Sequence, residues 1–114
     1  MTAEGFRCYC LARKGASEDF PFDETTVVYK VGGKMFALVD TGFKRINVKC
    51  DPLEALALRE KYQAVIPGYH MNKKHWNSLI MDGSLPDELV YKWLDDSYKL
   101  VLGSLPQPKQ RELA

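Results

Sequence analysis

Between Gly68 and Asn77 the chain carries its densest set of side chains able to do chemistry: Tyr69, His70, Asn72, Lys73, Lys74, His75, Trp76 and Asn77. Lysines offer charge to phosphate, asparagines donate and accept at a base edge, and tyrosine or tryptophan offers a flat face for stacking. The same residue types also build buried polar networks, so nucleic-acid contact and an internal structural network stand side by side as readings. Catalytic chemistry finds less support. His70 and His75 lie five residues apart, and a third metal ligand would have to come from Asp82 or a cysteine elsewhere, so no metal site is expected. Cys50 precedes a helix start, where the macrodipole favours a thiolate, although a cysteine there also serves as a small buried apolar group. Asp95 and Asp96 fall on the polar side of a helix and make no acid/base pair. Neither a phosphate loop nor a dinucleotide glycine pattern occurs. No enzyme and no cofactor is expected.

Stepping outward, the elements that hold these residues can be read from pattern. Phe6, Tyr9 and Cys10 sit at helical spacing behind a Thr2 cap, and Gly15 marks the stop. Residues 17–23 read as an acidic loop. Thr25–Val31 and Lys34–Val39 flank Gly32-Gly33, a two-residue hairpin connector. In the next strand Ile46 and Val48 face one side, while Arg45, Asn47 and Lys49 face the other. Asp51-Pro52 opens a second helix, and its leucines on more than one side predict substantial burial. Pro67-Gly68 limits any strand before it to Ala64-Val65-Ile66, whereas His75–Met81 reads as a longer strand. Pro86 opens the last helix, whose Leu89, Val90, Trp93, Leu94, Leu100 and Val101 fall within about 140° of arc. Residues 107–114, with a second proline, read as a mobile or loosely docked tail. The order α-β-β-β-α-β-β-α predicts one α+β domain over 1–106: two layers, an antiparallel sheet of about five strands, helices on one face.

Composition bounds the rest. The 114 residues are 46% hydrophobic and 27% charged, as expected of one globular domain with one core. Net charge is +1, but residues 25–81 hold nine basic and four acidic side chains between two acidic ends. Such a two-signed surface attracts polyanions through one face. Three cysteines, Cys8, Cys10 and Cys50, form no disulfide framework and suggest a reducing, cytoplasmic setting. No signal peptide or membrane span is read, and a monomer is expected.

Several blocks together resemble the MmcQ/YjbR family of small bacterial proteins. They are Tyr9–Ala16, Lys30–Ala37, Ile46–Pro52, His70–Trp76 and Asp82–Asp87, with the His-x-Asn-Lys-x-His-Trp run the most specific. Lys14 departs from the pattern, where proline is expected before Gly15. The resemblance implies an α+β domain akin to secretion-chaperone-like and frataxin-like shapes. It also implies a DNA-binding label, attached to the family for the likeness of its sheet to a double-wing module. On that reading Lys44, Arg45, Lys49, Lys73 and Lys74 neutralise phosphates of duplex DNA, while Asn72, His75, Trp76 and Asn77 touch sugar or base edges. The alternative partner is another protein, bound by an adaptor or chaperone-like use of the sheet face.

Overall fold

Gly32 and Gly33, at φ of 59° and 82°, turn β2 (Thr26–Val31) into β3 (Lys34–Asp40), the hairpin predicted from their freedom at positive φ. The computed structural model describes residues 1–113. Before the hairpin come α1 (Ala3–Leu11), capped by the Thr2 hydroxyl, and β1 (Ala16–Asp19). After it come β4 (Arg45–Lys49), α2 (Pro52–Lys61), β5 (Val65–Pro67), β6 (Trp76–Ile80), α3 (Asp87–Gly103) and α4 (Gln107–Leu113). The strands form one sheet in the order β1-β2-β3-β4-β6-β5, every neighbouring pair antiparallel. The expected α+β architecture and element order hold, with one further strand and one further helix.

Alternation along β4 divides the sheet into two faces. Ile46 and Val48 join Phe6, Tyr29, Val31, Phe36, Leu79, Val90, Trp93, Leu94 and Val101 in the main core, beneath the helices. On the other face a smaller cluster of Val28, Leu38 and Trp76 is flanked by Met35 and Met71. Leu94 is fully buried, and truncating such a side chain to alanine costs about 2–5 kcal/mol.

One irregularity sets the sheet-to-helix packing. Tyr29 pairs with Ala37 and Lys30 with Met35, so Phe36 is the extra residue of a β-bulge. The bulge lets both Phe36 and Ala37 join the helix-side core. Ser97 of α3, fully buried, donates its hydroxyl to the Phe36 carbonyl at 2.6 Å and accepts the Lys49 amide at 2.8 Å. A single helix hydroxyl thereby ties β3 to the end of β4.

Three expectations need correction. Residues 16–19 are strand β1 rather than loop, paired with β2 from Ala16–Val31 to Asp19–Val28. Helix α2 is not substantially buried: Asp51 caps it as predicted, but only Ala55 is buried, with Leu53 79% and Leu56 56% exposed. Its contact with the core is made through Leu58 and Ala55, one narrow stripe. Of the tail, Gln107–Leu113 fold as α4, whose Leu113 packs against the main core and whose Gln110 donates to the Leu105 carbonyl at 2.7 Å, while residue 114 lies outside the described residues. Pro106 and Pro108 sit at the opening of that helix, where a missing N–H costs nothing.

Candidate nucleic-acid interface and the adjoining trough

Trp76 and Asn77 are consecutive on β6 and therefore point to opposite faces. Asn77 is 1% exposed on the helix side, where its amide donates to the Ala55 carbonyl and its Oδ1 accepts Arg59 Nε at 2.7 Å. Arg59 also donates through Nη2 to the carbonyls of Lys73 and Trp76. That guanidinium clamps α2 to the turn before β6. Trp76, 8% exposed, lies on the open face opposite Lys49 and packs with Val28 and Leu38. Neither side chain is placed to read a base edge, so this part of the predicted interface is a structural network. Its key partner, Arg59, lies 18 residues from Asn77 and carries no local sequence signal.

The other predicted residues distribute as follows. Asn72 is exposed, and its Oδ1 accepts the Lys74 amide at 2.9 Å, closing a turn whose carbonyl also receives the amides of His75 and Trp76. Lys73 and Lys74 are exposed on that turn, with Lys73 Nζ donating to the Gly68 carbonyl at 3.1 Å. His75 is half-buried, its carbonyl holding the Cys50 amide. Lys49, Lys73 and Lys74 thus gather toward one end of β4. Lys44 and Arg45 stand at the other end, four residues along a strand or roughly 13 Å away. The five cations form two groups rather than one platform. Among the described residues none of the five has a carboxylate within ion-pair distance, whereas Arg7, Arg13, Lys30 and Lys92 are all paired.

Arg45 sits in the more elaborate surroundings. Its guanidinium lies 4.0 Å from the centroid of the Tyr69 ring, and Tyr69 is in turn 4.0 Å from the His70 ring. Its Nε is buried and finds no acceptor in the protein. The segment bearing Tyr69 is fixed from below: the Tyr69 amide donates to Ser78 Oγ at 2.8 Å, and Ser78 donates to Asn47 Oδ1. A trough of about 670 Å³ opens here over the sheet, bordered by Phe22, Leu38, Lys44, Arg45, Asn47, Tyr69, His70 and Met71. Two carboxylates also border it. Asp40 is engaged by the amides of Lys44 and Arg45. Asp23 is engaged by the Thr25 amide and hydroxyl, bonds that hold its carboxyl below the usual range. Tyr69 and His70 belong to the dense stretch singled out in the sequence, but their meeting with Arg45 depends on a fold-back that pattern alone does not reveal.

On the helix side, a second groove of about 410 Å³ runs between α2 and α3 past Cys50, Glu54, Leu58, Lys92 and Leu100. Burial, and secondarily Glu54, Asp51 and Asp96, push the Cys50 thiol up to about 11, which disfavours a nucleophilic thiolate. Among the described residues, no group of three or more His, Cys, Asp or Glu side chains could hold a metal ion, and no helix is long and apolar enough to cross a membrane.

Comparison with known proteins agrees with the fold. An uncharacterized Escherichia coli K12 protein, YjbR, is 35% identical over 115 residues, spanning 99% of this chain and 98% of its own length. A second, YbdF of Escherichia coli O157:H7, is 36% identical over 96 residues, covering 82% of this chain and 79% of that protein. A crystal structure of a Deinococcus radiodurans protein with a DUF419 domain superposes with a TM-score of 0.92 at 38% identity, covering 98% and 87% of the two chains. A Pseudomonas syringae crystal structure gives 0.76 at 26%, covering 89% and 99%. The sequence pattern of YjbR matches residues 11–100, and with a relative 35% identical over 98% of its own length the chain belongs to the YjbR family.

Proposed function

We propose that this protein binds duplex DNA through its phosphate backbone, without reading sequence. The observation that carries the reading is that Lys44, Arg45, Lys49, Lys73 and Lys74 have no carboxylate partner among the described residues, which leaves their charge to engage phosphates. Their two groups, roughly 13 Å apart, fit the approximately 12 Å width of a major groove, across which phosphates of both strands can be met. Burial of Trp76 and Asn77 takes two of the four side chains expected at sugar or base edges out of reach, which favours shape- and charge-based contact.

Titration with an arbitrary duplex at several salt concentrations tests this. Engagement of four or five cations gives log K falling against log salt with a slope of roughly −4, and changing Lys73 and Lys74 together to alanine lowers the slope by about 2. Affinity that ignores salt, or no detectable complex at about 50 mM salt, overturns it.

A second reading, a protein-binding adaptor, is favoured by Leu53 and Leu56, which stand exposed on α2 outside the lining of the α2–α3 groove. This apolar surface lies on the helix side, not on the sheet face. Binding of that kind weakens on changing Leu53 and Leu56 to polar residues and depends little on salt.

A further inference from the structure

The trough over the open sheet face is built beyond what backbone-phosphate contact requires. The buried Nε of Arg45 has no acceptor among the described residues, and its charge stacks on Tyr69. A buried donor left unmatched by the protein is costly, and such groups persist where water, an ion or a ligand supplies the acceptor. Arg13, which also stacks on a tyrosine, Tyr9, and also buries an unmatched Nε, differs in its charge: its Nη1 pairs with Asp95 at 2.8 Å, whereas Arg45 has no carboxylate partner among the described residues.

Aromatic surface is displayed from both sides. Phe22 is 62% exposed beside the start of β2, and Tyr69, 50% exposed, stands over β4 with His70 against it. Strands two apart in a sheet are separated by roughly 10 Å, which leaves room for one flat ring between side chains rising from them. The volume of about 670 Å³ falls in the range of small-molecule sites. Backbone strain is concentrated at the same place. Phe43 and His70, at φ of 55° and 57°, are the non-glycine residues in the left-handed region among the described residues. One directly precedes Lys44-Arg45 and the other directly follows Tyr69, so both loops that shape the trough are held in costly conformations.

We propose that this trough binds a planar aromatic molecule bearing one anionic group, a phosphate or a carboxylate. The ring lies among Phe22, Tyr69 and His70. The anion meets Arg45 and Lys44, with the Asn47 amide at the floor. Asp40 turns both oxygens to the amides of Lys44 and Arg45, and Asp23 turns Oδ1 to Thr25, so neither carboxylate forms an ion pair with the two cations, which remain open to an anion. The site shares Lys44 and Arg45 with the proposed duplex contact, but its aromatic wall of Phe22, Tyr69 and His70 is separate, and the two readings are tested with different probes.

Titration of the labelled protein by NMR separates the parts of the claim, with four probes: adenosine monophosphate, 4-hydroxybenzoate, adenosine and inorganic phosphate. Saturable shifts at Arg45, Asn47, Tyr69 and His70 with one or both ring anions, tighter than with adenosine or phosphate alone, support the assignment. The tighter of the two identifies the anionic group. Arg45→Met and Tyr69→Ala each weaken that binding by roughly tenfold. Should Arg45→Met fail to fold, Phe22→Ala, in an exposed loop, carries the same expectation. Equal binding of phosphate alone, equal binding of adenosine alone, shifts at the α2–α3 groove, or no saturation with either ring anion each overturns the proposal.

Discussion

The guanidinium of Arg59 bonds the buried amide of Asn77 across 2.7 Å, and in doing so fastens α2 to the turn that carries Lys73 and Lys74. Three acceptors depend on it: Asn77 Oδ1 and the carbonyls of Lys73 and Trp76. Arg59→Ala strands the Asn77 oxygen inside the protein and is expected to cost about 2–3 kcal/mol, measured by chemical denaturation. Arg59→Lys recovers only part of this, since one ammonium cannot span the fork. A loss below about 0.5 kcal/mol, the range of ordinary surface changes, would deny the clamp its role.

Ser97 is the sole side-chain link between α3 and both β3 and β4 described above. Ser97→Ala removes a donor from the Phe36 carbonyl and an acceptor from the Lys49 amide. The expected loss is about 2 kcal/mol, with Ser97→Val worse because a methyl must also be accommodated in a packed interior. Amide hydrogen exchange at Lys49 should quicken in both variants.

Alkaline pH should weaken the fold through its buried acids. Cys50 is raised from 9.0 to about 11, and burial pushes Cys10 and Tyr29 upward as well. The unfolded chain ionises these groups first, so their stabilisation is complete below about pH 9 and is lost as pH climbs through the folded values. Denaturation midpoints measured from pH 8 to 11 should fall, and Cys50→Ala should flatten part of that decline. A midpoint independent of pH over this range contradicts the burial of these groups.

Leucines in a helix are usually assigned to a core, and α2 supplies a direct check. Leu53→Gln and Leu56→Gln should each change stability by no more than about 0.5 kcal/mol, whereas Leu94→Ala costs about 2–5 kcal/mol. Thermal melts of the three variants distinguish the two environments. A large loss at Leu53 or Leu56 would place α2 deeper than its exposure indicates.

Much of the framework was legible because it rests on local physics. Gly32-Gly33 had to turn, Asp51-Pro52 had to start a helix, and the Ile46/Val48 alternation had to set one side of β4 inward. Failures came where a distant partner or an edge decides. Strand β1 presents Ser17, Glu18 and Asp19, too polar to look like a strand, because it is paired along one side only. Helix α2 carries leucines around its circumference, yet only one stripe meets the sheet. In the dense 68–77 stretch, residue types were read as a surface, but strand parity sends Asn77 inward to an arginine 18 positions away. The trough escaped notice because Arg45 and Tyr69 are 24 residues apart and meet only through the fold-back over β6.

The sheet's two outermost strands are an acidic one, β1, and a three-residue one, β5, that ends in proline. Glu18 on the first is further engaged by Arg7 of α1, and Pro67 on the second has no N–H to offer a newcomer. Each border repels or starves an incoming β-segment. Copies of this chain are thereby discouraged from stitching together into ribbons.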